Sequence, residues 1–128
     1  MERTFIATAA LLALLSVMGG AFGAHALRGS LPPDRLIVFE TGARYQMYHA
    51  LAILLVFALH QWVPGSTRRL TAILFVAGIV LFSGSLYTIA LTGIRSFGRI
   101  TPLGGLLFLS GWIVLLIGVL SARNVDSG

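Results

Sequence analysis

Glu40, Arg44, Tyr45, Gln46 and His49 fall within ten residues of an otherwise apolar chain, and they are the residues best equipped for chemistry. Glu40 and Arg44 stand four apart with the acid N-terminal, the favourable order for an ion pair on a helix. Thr41, Tyr45 and His49 form a neighbouring stripe at the same spacing. His49 lies about 7.5 Å beyond Arg44 along a helix rising 1.5 Å per residue. An ionisable group at that depth in a membrane should face a protein interior or water. Two readings stay open: a cluster that hydrogen-bonds across helices and fixes their register, or a site for a small polar molecule, a lipid headgroup or protons.

Other chemistry finds less support. His25 stands close enough to the polar end to reach His49 or Glu40, and two histidines with a carboxylate can hold a metal. No ligand pair at i,i+3 or i,i+4 supports that reading, so no metal and no cofactor is expected. His60, two residues before Trp62, reads as interfacial. The chain has no cysteine, which excludes disulfides and thiolate chemistry. It also lacks a Gly-rich phosphate loop, a nucleophile elbow and a haem-attachment motif. A non-catalytic protein is the expectation.

The elements that must position these residues follow from the charges. All nine basic residues are arginine, and the acids are Glu2, Asp34, Glu40 and Asp126. Arg3 and Arg28 enclose 24 residues without formal charge, Arg44 and Arg68 enclose 23, Arg69 and Arg95 enclose 25, and Arg99 and Arg123 enclose 23. A helix needs about 20 apolar residues to cross the ~30 Å hydrocarbon layer. With 57 % apolar residues, a soluble domain of this size is excluded. The +5 charge sits at span ends, where arginine anchors helices among headgroups. Nucleic acid is therefore not expected as a partner; the lipid bilayer is.

The sequence thus predicts an all-α membrane protein: one domain of four transmembrane helices over about 4–27, 34–62, 68–91 and 101–121, in an up-down-up-down bundle. Gly29, Pro32 and Pro33 end the first helix. Asp34 to Glu40 reads as a short interfacial segment before the second, and Gly42 either kinks that helix or thins it. Pro64-Gly65-Ser66 reads as a tight turn, Arg68-Arg69 as a plain anchor, and Thr101-Pro102 as a helix start. Ala24-His25-Ala26 mimics a signal-peptidase site, but the preceding apolar run is long for a signal core and is read as a retained helix.

Small residues recur every seven positions: Ala9, Ser16 and Gly23; Thr71, Gly78, Ser85 and Thr92; Gly104, Gly111 and Gly118. Gly19 and Gly23 add a GxxxG pair. Membrane helices associate largely by close backbone approach at such positions, so these residues are expected at helix contacts, within one chain or in a homo-oligomer or larger membrane complex. The topology gathers His25, Glu40, Arg44, Tyr45, Gln46, His49, Ser83, Ser85 and Tyr87 towards one end. Four arginines on one side against five on the other give little orientation bias; the termini are assigned to the cytoplasm.

Four stretches carry a family resemblance: 20–27 (GAFGAHAL), 39–51 (FETGARYQMYHAL), 81–87 (LFSGSLY) and 101–105 (TPLGG). In this order they resemble the DUF423 family, whose eukaryotic relatives are called transmembrane protein 256. The resemblance implies a four-helix protein of the bacterial inner membrane and brings no established activity. All nine polar residues just named fall inside the motifs. The leading expectation is a non-catalytic accessory or scaffold protein packing with membrane partners or itself. The alternative is a binding or transport module at the polar end.

Overall fold

The structure, a computed structural model, describes the backbone of residues 1–126 and the side chains of residues 1–122. Four long helices dominate it, with no strand among the described residues: α1 (Glu2–Leu27), α2 (Pro33–Ala58), α3 (Gly65–Thr92) and α4 (Thr101–Asp126). A 3₁₀ turn, Arg95–Arg99, leads into α4. α4 continues past Ser121, where a polar tail was expected. The anchoring role expected of Arg123 lies outside the described side chains.

The connections explain where the helix limits move. α2 starts with Pro33 in its first turn and Asp34 beside its positive end, both favourable there. It then runs unbroken to Ala58. Gly42 does not interrupt it, and the anticipated interfacial segment is simply its first turns. It stops short of Trp62 because Pro64 disfavours helical backbone in the residue before it. The chain turns instead over Leu59–Val63, where the Trp62 and Val63 amides donate to the Leu59 carbonyl. Pro64 caps α3, and the Arg68 amide closes the first turn on its carbonyl. At the other end of α3, Gly93 adopts φ 74°, a left-handed helix stop suited to glycine.

α1 is not uniform. Glu2–Val17 is α-helical, Met18–Gly23 opens into a π-helix, and Ala24–Leu27 returns to α. The wide segment contains Gly19, Gly20 and Gly23; glycine lacks the side chain that restricts backbone geometry.

Successive helices pack antiparallel. Leu12 and Ser16 of α1 meet Gln46 and Ala43 of α2. Gly42 and Gln46 of α2 meet Ser83 and Tyr87 of α3 at the same level, while His49 meets Phe75. Thr67, Phe75 and Phe82 of α3 face Gly118, Gly111 and Gly104 of α4. α1 packs chiefly on α2 and α4 chiefly on α3, so the outer helices flank the α2–α3 pair. The core joins Ala9, Ile53, Phe57, Phe75, Ile79 and Phe108.

α1, α3 and the stretch Arg95–Ala122 are each long and apolar enough to cross a membrane. α2 has comparable length but carries Arg44, Gln46 and His49 at its middle. Leu11 and Leu14 of α1, and Leu106, Leu109, Ile113 and Leu116 of α4, are exposed. Such continuous apolar faces suit lipid, not water. The chain is a multi-pass membrane protein.

Candidate functional site

The polar cluster is centred on Gln46. Its Nε2 donates to the Leu12 carbonyl of α1 at 2.7 Å, and its Oε1 accepts from the Tyr87 hydroxyl of α3 at 2.7 Å. One side chain therefore ties three helices. One turn away, Ser16 Oγ donates to the Ala43 carbonyl at 2.6 Å and Ser83 Oγ to the Gly42 carbonyl at 2.7 Å. These carbonyls have a second lone pair beyond the one used within the helix. Gly42 makes the arrangement possible: a Cβ there would sit 2.9 Å from the Tyr87 ring. Ser85 Oγ joins Thr101 Oγ1 at 2.6 Å, linking α3 to the start of α4.

His49 is buried and both its nitrogens are engaged. Nδ1–H donates to the Tyr45 carbonyl at 2.8 Å, and Nε2 accepts from the Trp112 indole N–H at 3.2 Å. A carbonyl can only accept and an indole N–H only donate, so these bonds assign the neutral Nδ1–H tautomer. The ring stacks on Phe108, centroids 3.6 Å apart and planes 6° apart, and meets the Phe75 edge. Tyr45 is exposed and packs on Phe82.

Several anticipated residues stay apart. His25 is exposed and joins no cluster; among the described residues no three His, Asp or Glu side chains could hold one ion. Glu40 and Arg44 do not form the expected ion pair: the single one among the described residues is Arg68–Glu2. The physical reason is that a helix-surface pair gains only a few tenths of a kcal/mol, too little to fix two long side chains. Glu40 and Arg44 instead line a groove of about 550 Å³ between α1 and α2.

The glycine stripes meet aromatic rings. Gly19 and Gly23 face Phe39, with a Cβ on Gly23 falling 3.3 Å from that ring. Gly78 faces Phe108 and Gly111 faces Phe75, each at 2.5 Å from such a Cβ; Gly104 lies against the Phe82 backbone and Gly118 against Thr67.

Four participants escaped the sequence reading. Ser16 was visible only as a small heptad position. Trp112 carried a signal, since an indole N–H inside an apolar helix needs a partner. Arg68 is no plain anchor: it donates to the carbonyls of His60 (3.0 Å) and Val63 (2.6 Å) and to Glu2. Arg35 Nε donates to the Ala90 carbonyl at 2.9 Å, and its guanidinium packs on Gly93. The Arg68 role depends on where the Leu59–Val63 turn folds back and the Arg35 role on which level of α3 it meets, and spacing encodes neither.

Against known families, the one described as "Protein of unknown function (DUF423)" matches residues 19–105. The chain belongs to the DUF423 family. Among DUF423 relatives, UPF0382 membrane protein YwdK of Bacillus subtilis (strain 168) is 47 % identical over 116 residues, covering 90 % of this chain and 94 % of the relative. UPF0382 membrane protein SH2409 of Staphylococcus haemolyticus (strain JCSC1435) is 44 % identical over 115 residues, covering 90 % and 93 %. No solved structure matches the chain. The DUF423 match includes Gln46, His49, Ser83 and Tyr87 but stops short of their partners Leu12 and Trp112.

Proposed function

We propose that this DUF423 protein is a non-catalytic scaffold of the bacterial inner (cytoplasmic) membrane, packing with membrane partners or with copies of itself. The observation that carries this reading is hydrogen-bond satisfaction in the polar cluster. Gln46, Tyr87, Ser16, Ser83 and His49 all bond within the protein. Among the described residues, the buried side-chain atoms without a partner are Arg68 Nε and Thr71 Oγ1, both outside the cluster. A satisfied network rigidifies and fixes register; it has no spare group for a reacting substrate. Copurification from native membranes, with mass spectrometry of bound protein, should recover a stoichiometric membrane partner or a self-associated form. A strictly monomeric protein without partners would count against the reading.

α2 belongs to the same proposal as a fourth span, giving an up-down-up-down bundle with both termini in the cytoplasm. The support is its place between two apolar helices, with Gln46 and His49 turned inward. Single cysteines at Ser30, Ser66 and Ser127, probed with an impermeant reagent, test it; Ser127 lies outside the described residues. Ser30 should label from one side and Ser66 and Ser127 from the other. Labelling of Ser30 and Ser66 from the same side would remove α2 as a span. The alternative, a binding or transport module, is favoured by the groove containing Glu40 and Arg44.

A further inference from the structure

The groove between α1 and the N-terminal half of α2 is lined by Ser16, Gly20, Glu40, Ala43, Arg44 and Tyr48, among others. It holds one acid and one base a single helical turn apart. Glu40 is half-buried and Arg44 exposed, and neither has an ion-pair partner among the described residues. Charges on a membrane-embedded surface are costly unless something pairs with them, so the groove calls for an occupant bearing both signs. Its walls are small, with Gly20, Ala21 and Ala43 leaving the space open. Val17 and Met47 give its lining an apolar side, with Val17 exposed. Ala21 and Ser16 lie roughly 9 and 16 Å from the Leu27 end of α1 at 1.5 Å per residue. The groove therefore lies in the half of the bundle that ends at Leu27 and Pro33, and a headgroup drawn to Arg44 enters below the membrane surface.

We propose that this groove binds a phospholipid whose headgroup carries both a phosphodiester and a primary amine. Arg44 takes the phosphate, for which its planar fork of donors is suited, and Glu40 takes the ammonium. The acyl chains follow the apolar Val17 and Met47 side of the groove. An anionic lipid without an amine would leave Glu40 without a counter-charge; a soluble phosphate compound would leave the apolar side of the groove uncovered. The proposal goes beyond the scaffold reading and rests on it only for the placement of α2 in the membrane, which the cysteine labelling tests separately.

The test uses the full chain in detergent. It is titrated with phosphatidylethanolamine, phosphatidylglycerol and diacylglycerol of identical acyl chains, and bound lipid is counted by native mass spectrometry. Phosphatidylethanolamine should be retained about tenfold better than phosphatidylglycerol, the scale of one hydrogen bond to a charged group. Glu40→Gln should erase that preference, and Arg44→Gln should weaken retention of both phospholipids. Ala21→Phe, which fills the groove without changing charge, should abolish retention, whereas Arg69→Gln should change nothing. Thermal melts of every variant separate lost binding from lost fold. Equal retention of the two phospholipids by the unaltered protein, or of diacylglycerol and phosphatidylethanolamine, would overturn the proposal. So would an unchanged preference in folded Glu40→Gln, or displacement of the lipid by O-phosphoethanolamine, which would assign the groove to a soluble ligand.

Discussion

The two faces of α3 are held by opposite means. Towards α4, apart from the Ser85–Thr101 hydrogen bond at its end, it packs dry, with rings and backbone set into glycine notches: Phe82 against Gly104, Phe108 against Gly78, Phe75 against Gly111. Towards α2 it is held by side-chain hydrogen bonds, Ser83 to the Gly42 carbonyl and Tyr87 to the Gln46 side chain. In lipid, neither face gains from hydrophobic burial as it would in water, because tails are as apolar as leucine. The dry face relies on shape, and so should fail abruptly when its volume changes. The wet face relies on several modest bonds, and so should fail by degrees.

The dry face should be most sensitive at Gly104. A side chain there overlaps the backbone of Phe82, which cannot rotate away, so Gly104→Leu should cost about 3 kcal/mol or more and separate α4 from α3. Gly111→Leu should cost less, roughly 1–3 kcal/mol, because the Phe75 ring can shift. Thermal melts in detergent rank the two. If Gly104→Leu melted like the unaltered protein, the dry face would not be holding α4.

On the wet face, Gln46→Leu should destabilise by about 1 kcal/mol or more, because it strands the half-buried Tyr87 hydroxyl. Adding Tyr87→Phe should recover part of that loss. Full additivity across this double-mutant cycle would mean that the two side chains do not interact. Ser83→Ala should cost only about 0.6 kcal/mol, the average for hydrogen bonds between membrane helices. The smallest effect is expected at Glu40 and Arg44, which are not paired. Glu40→Gln and Arg44→Gln should add within about 0.5 kcal/mol in thermal stability; a larger coupling would show that they pair in solution.

The dry face was the more legible in the sequence, because shape leaves a periodic mark. Glycines at 104, 111 and 118 repeat every seven residues, and all three fall opposite α3. The wet face announced its members but not its pairing. Glu40 and Arg44 had the spacing of an ion pair and do not make one, while Gln46, between stripes, became the hub. Its partner on α1 is a backbone carbonyl, Leu12, which no side-chain pattern can mark. Helix limits drifted for a related reason: α2 ends at Ala58 and the chain turns over Leu59–Val63 on backbone bonds to the Leu59 carbonyl, although Leu59 and His60 look like its continuation.

The π-helical stretch Met18–Gly23 has a consequence for how the length of this chain can vary. A π turn holds one residue more than an α turn for each hydrogen bond it closes. Deleting a single residue there can be absorbed by tightening to ordinary α-helix, leaving the stretch before Val17 and the turn at Ala24 in phase with α2. The same deletion at Ala9, inside regular helix, would swing every later α1 side chain by roughly 100° and carry Ser16 away from Ala43. A single-residue deletion should therefore be tolerated within Met18–Gly23 and not at Ala9.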